Sequence, residues 1–105
     1  MSEEVRLSSS HLVIAPEIAR QLFDDTNSAY ISYKEDQHTL LISPATNSWF
    51  PKLHDACQCL LKDKDLAGTK SIVIRDMIID HDLPDENRSL SFQINQDKRF
   101  MKVSI

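Results

Sequence analysis

His54, Cys57 and Cys59 form a His-x-x-Cys-x-Cys run, a place where this 105-residue chain gathers metal-ligating side chains within one short segment. Imidazole and thiolate are ordinary zinc ligands, but a structural zinc site wants four that converge. The surrounding pattern predicts a helix. On a helix His54 and Cys57 share a face, while Cys59 points about 160° away from Cys57. The other histidines, His11, His38 and His81, lie far off without a pairing motif. No metal and no cofactor is therefore expected, with Cys57 a core residue and Cys59 half-buried.

Two further runs carry chemistry-bearing residues. Asp76, Asp80, Asp82, Asp85 and Glu86 gather acids as a calcium loop does, but without the glycine and ligand spacing of an EF-hand. A solvated acidic turn is the expectation. Asp80-His81-Asp82 could orient a histidine base, yet no serine or cysteine sits on a recognisable nucleophile elbow. No catalytic residue is assigned, and the chain reads as a non-enzyme.

The remaining candidates are cations. The net charge is −4, with residues 1–44 at −4, 45–64 at +1 and 65–105 at −1. An acidic balance opposes tight non-specific phosphate binding, which is driven by counterion release from basic surface. Any nucleic-acid patch must be local, and Lys98, Arg99 and Lys102 are its most concentrated source. Arg6, Lys70 and Arg75 are the other candidate contacts.

The elements that must position these side chains follow from pattern. Residues 1–10 read as a loose arm ending in three serines. His11 to Ile14 is β-prone and stops before Pro16, which cannot donate to a sheet. Pro16 and Glu17 suit the first turn of a helix through Phe23, stopped by Asp24 to Asn27. A hairpin follows, with strands Ala29–Tyr33 and Thr39–Ser43, so that Ile31, Tyr33, Leu40 and Ile42 face one way. Pro51 and the stripe Phe50, Leu53, Cys57, Leu60 and Leu61 predict one longer helix, about 48–62. Trp49 and Phe50 read as its hydrophobic anchor. Gly68, the single glycine, marks the break before Ser71 to Ile74, a helical turn at Asp76 to Ile79, and a hairpin of Ser89–Ile94 and Arg99–Ile105.

The second half repeats the first. Leu12-Val13-Ile14 and Ile18 recur as Ile72-Val73-Ile74 and Ile78. Ser28, Asp36 and Ser43 recur one residue later in register as Ser89, Asp97 and Ser104. Each half alone is too short to bury a hydrophobic face. The expected fold is a single mainly β domain over 1–105, a pseudo-two-fold barrel. Repeat 1 spans about 8–44 and repeat 2 about 68–105, joined by the helix. The length, the two cysteines and the absence of an 18-residue apolar run fit a reduced, cytoplasmic protein with no membrane span.

Strand, short helix and hairpin, given twice, resembles the swapped-hairpin AbrB family in its duplicated MraZ form. The likeness is carried by Leu12-Val13-Ile14-Ala15-Pro16 with Arg20, and by Leu40-Leu41-Ile42-Ser43-Pro44 followed by Trp49. It spans roughly residues 8–105. The resemblance implies a small transcription regulator that binds DNA and assembles as a homo-oligomer. The family's Asp-x-x-x-Arg motif has no match around Glu4-Val5-Arg6, and its second counterpart, from Asp65, is one residue longer and ends in Lys70. Two readings stay open: a weak DNA-binding regulator, or an interaction or scaffold domain that kept the fold without the nucleic-acid surface.

Overall fold

The computed structural model describes residues 5–23, 26–54, 56–63 and 68–105. Met1 to Glu4, the Asp24-Asp25 stop, Asp55 and the stretch from Lys64 to Ala67 lie outside them. Among the described residues ten strands form two antiparallel five-stranded sheets, with three short helices. The first sheet contains β1 (Val5–Ser8), β2 (His11–Ile14), β6 (Lys62–Asp63), β7 (Lys70–Val73) and β8 (Arg88–Leu90), in the order β6-β7-β2-β1-β8. The second contains β3 (Ser28–Lys34), β4 (Thr39–Pro44), β5 (Cys57–Leu60), β9 (Phe92–Asn95) and β10 (Phe100–Ser104), in the order β5-β3-β4-β10-β9.

Alternation in the strands builds the core between the sheets. Val5, Leu7, Leu12, Ile14 and Ile72 from one sheet meet Ala29, Ile31, Leu40, Ile42, Met101 and Val103 from the other. Helix α1 (Pro16–Phe23) adds Ile18, Ala19, Leu22 and Phe23, and α3 (Arg75–Asp80) adds Ile78. Proline opens α1 because its missing N–H has no helical partner there, and Glu17 meets the positive end of the helix dipole.

The hairpin β3–β4 is as the alternation predicts. Its register pairs Ile31 with Ile42 and Tyr33 with Leu40, so all four share one face. His38 closes its turn in the left-handed region at φ 50°. The expected arm at 1–10 is different, because Val5–Ser8 is a strand paired with both β2 and β8. Its link to β2 is a two-residue turn, Ser9-Ser10, with both φ values positive. That backbone matches the twist of a hairpin, but serine is not the residue that usually signals it.

The largest departure is the expected linking helix at 48–62. Among its described residues only α2 (Phe50–Leu53) is helical, and Cys57–Leu60 is a strand on the edge of the second sheet, paired with β3. Leu53 and Leu60, expected in the helical core stripe, are 69% and 66% exposed. Cys57 is exposed rather than buried, and Cys59 is half-buried as expected. Hydrogen bonding to β3 outweighed the helical apolar period from Cys57, six residues beyond Pro51, because the single turn of α2 makes few internal bonds.

The sheets do not close into the expected barrel. At one side the chain passes from β8 to β9, and so from sheet to sheet, with Ser91 alone between them. At the other side Leu61 joins β5 to β6 in the same way, its N–H donating to the Asn27 carbonyl at 2.7 Å. Between these passages the two sheets remain separate hydrogen-bonded ladders among the described residues. Each sheet draws strands from both halves of the chain. β2 pairs with β7 so that Leu12 lies opposite Ile72 and His11 opposite Val73. β4 pairs with β10 so that Leu41 lies opposite Lys102 and Leu40 opposite Val103.

Candidate functional site

The six candidate cations occupy several surfaces. Arg6 lies opposite Val13 and Ser89, whereas Lys70 lies opposite Ile14. Val13 and Ile14 are consecutive on β2, so Arg6 and Lys70 belong to opposite faces of the first sheet. Lys70 pairs with the Asp63 carboxylate, and Arg6 is engaged by a partner of its own. Arg75 is exposed at the start of α3, next to Asp76. Lys98, Arg99 and Lys102 do come together, at the β9–β10 hairpin, with Asp97 in the same turn.

That hairpin is held from below. The Asn47 side-chain amide donates to the carbonyls of Lys98 at 3.0 Å and Arg99 at 2.9 Å, and to the Ser43 hydroxyl at 2.8 Å. Arg99 sits at φ 56°, and its guanidinium donates to the Leu22 carbonyl at the end of α1, at 3.1 Å. Arg99 is thus engaged structurally, while Lys98 and Lys102 are exposed. Lys102 borders a shallow hollow of about 460 Å³ with Gln93, Asn95 and Asp97.

A second cluster covers the outer face of the second sheet. Phe50 is fully buried there, its ring 6.3 Å from Tyr30, 5.6 Å from Trp49 and 6.4 Å from Phe100. Trp49 also meets Phe100 edge-on at 6.0 Å. The anchor expected of Trp49 and Phe50 is present, although it fastens one helical turn and not a long helix. His54 packs on Phe50 at 4.8 Å. Loss of solvation holds its imidazole below the ordinary histidine range, and the nearby Lys34 ammonium pushes the same way. His54 is therefore part of an aromatic cluster, and the His-x-x-Cys-x-Cys run is divided between two faces. Among the described residues no three His, Cys, Asp or Glu side chains gather to hold a metal ion.

The larger concavity is a groove of about 640 Å³ where the β5 edge of the second sheet faces the β7–α3 corner of the first. Tyr33, Cys57, Cys59, Val73, Met77 and His81 are among its walls. His81, from the expected Asp80-His81-Asp82 constellation, packs its ring on Tyr33 at 4.6 Å. Its Nδ1 lies 3.6 Å from a Glu35 carboxylate oxygen. Partial burial raises the Cys59 thiol above its ordinary range, and the neighbouring Cys57 sulfur raises it further. The groove was not foreseen, because its walls come from residues 31–34, 57–59 and 73–81. The period-two spacing of Cys57 and Cys59 was the one local signal of it. No protein-family model, curated protein or solved structure matches the chain.

Proposed function

We propose that this chain is a small, non-enzymatic, regulator-like interaction domain whose working surface is the groove beside β5, and that protein, not DNA, is its main partner. The observation that carries the reading is the character of that edge. β5 ends its sheet, so one side of its backbone has no strand beside it among the described residues. Val73 in the groove wall is 46% exposed, and Leu60, on the other face of the strand, is 66% exposed. An unpaired edge beside an apolar groove suits an extended peptide, whose backbone adds to the strand while alternate side chains enter the groove. The cations, by contrast, are dispersed over both sheets except at the β9–β10 hairpin, where Asp97 shares the turn.

The resemblance to the swapped-hairpin family supports a duplicated, pseudo-two-fold origin for the two halves and homo-oligomeric assembly, and the sparse cysteines favour the cytoplasm. Reciprocal register favours the duplication: repeat-equivalent positions Leu12 and Ile72 face each other, as do Leu41 and Lys102. A weak DNA-binding regulator is the second reading, favoured by the three cations of the β9–β10 hairpin. Titration with mixed duplex DNA at low and moderate salt separates the two. No binding at low salt supports the interaction domain. Tight binding that weakens steeply with salt overturns it, since that slope counts phosphate contacts.

A further inference from the structure

We propose that Cys57 and Cys59 form a two-thiolate site for Cu(I) in the wall of the groove. Helical geometry would set these cysteines apart, but they lie on a strand. The register puts Cys57 opposite Ile31 and Cys59 opposite Ala29, and both partners face the core side of β3. Both thiols therefore leave the same face of β5, with Gln58 on the other. Both residues line the groove, and so does Met77.

Distance and ligand number select the occupant. Two residues along a strand separate Cβ atoms by about 6.6 Å. A disulfide needs them about 3.5–4.5 Å apart, so Cys57 and Cys59 cannot join without displacing the backbone. A metal bound to two thiolates at roughly 2.3 Å each holds the sulfurs up to about 4.6 Å apart, which two side chains leaning together can reach. Zinc requires four ligands, and no third His, Cys, Asp or Glu joins this pair among the described residues. Cu(I) is soft, favours thiolate and thioether, and is satisfied by two or three such ligands. Met77, in the same wall, offers a thioether as a third. The groove wall carries Lys34 and Arg75 together with Asp76 and Asp80, so the ligands' softness and not the wall's charge favours the complex. On binding, each thiol releases its proton to solvent and forms one Cu–S bond, with no change of oxidation state.

The proposal goes beyond the interaction reading and does not depend on it. Its test is an anaerobic titration of the reduced protein with Cu(I) against a competing chromophoric chelator. One Cu(I) per chain is expected. Cys57→Ser and Cys59→Ser should each lower the affinity by more than the ~10–100-fold that loss of an outer-shell partner costs. Met77→Leu should weaken it less. A double variant, Gln58→Cys with Cys59→Ser, keeps two thiols but moves one to the opposite face, and should bind no better than Cys59→Ser. Circular dichroism on each variant confirms the fold. Failure of the wild type to hold Cu(I) would overturn the proposal. So would undiminished binding by either serine variant, one copper shared between two chains, or full rescue by the displaced cysteine.

Discussion

Replacing Phe50 with alanine tests whether the segment after Trp49 is an aromatic clamp on a sheet or a face of a long helix. Phe50 is fully buried against Tyr30, Trp49 and Phe100. A phenylalanine side chain removes on the order of 150 Å² or more from water. At about 25 cal/mol per Å² that is a gross ~4 kcal/mol. A one-turn helix can settle partly into the vacated space, so the lower end of the Phe→Ala range applies, about 3 kcal/mol. For a domain of this size that lowers the melting temperature by roughly 12 °C. Leu53→Ala is the control. Leu53 is 69% exposed, and its truncation should stay within about 0.5 kcal/mol. Urea unfolding followed by fluorescence of Trp49, the single tryptophan, measures both, since that indole packs on Phe50 and Phe100. Equal costs for Phe50→Ala and Leu53→Ala would refute the reasoning and restore the helical stripe, in which both residues face the core.

Four other outcomes are expected. Asn47→Ala should destabilise by about 1–3 kcal/mol by equilibrium unfolding, because it strips donors from the carbonyls of Lys98 and Arg99. Replacing Ser9-Ser10 with Asn-Gly should stabilise by roughly 0.5–1 kcal/mol, since both φ values are positive and Asn-Gly adopts that turn at less cost. His54 has a folded-state pKa below its unfolded value, so its contribution is complete above about pH 6.5 and is lost as acid drives the proton on; the urea midpoint of the wild type should fall between pH 7 and pH 5 by more than that of His54→Gln. Iodoacetamide at mildly alkaline pH should label exposed Cys57 ahead of half-buried Cys59, whose thiol holds its proton to higher pH, as peptide mapping over time will read.

Local alternation made the β3–β4 hairpin legible, because Ile31 and Tyr33 alternate with Ser32 and Lys34 before a polar turn, and Leu40 and Ile42 resume the period after it, with Leu41 the one apolar residue between them. The strand-to-helix passage at Ala15-Pro16 was equally readable, since proline sets both the end of one element and the start of the next. The segment 50–61 was not, because Phe50, Leu53, Cys57 and Leu60 satisfy a helical period while Cys57 and Cys59 satisfy a strand period. Pairing with β3 decides between them, and it lies about thirty residues away in sequence. β1 was hidden because a Ser-Ser turn announces no hairpin. Of the candidate contacts, the grouping of Lys98, Arg99 and Lys102 was visible from spacing alone. The separation of Arg6 from Lys70 depends on which face of β1 and β7 each residue occupies, and that is settled only when both strands dock on β2.

β10 is the latest of the ten strands to be synthesised, yet it lies inside the second sheet, between β4 and β9. While it is still within the ribosome, β3 and β4 can form their hairpin, but the far side of β4 remains an open template carrying Leu40 and Ile42. Until β10 emerges the nascent chain thus exposes an adhesive edge, the circumstance in which chaperone capture or pairing with a neighbouring nascent chain competes with folding. A premature stop before Phe100 would leave that edge open for good, and its product should be cleared by proteolysis or aggregate instead of persisting as a shortened domain.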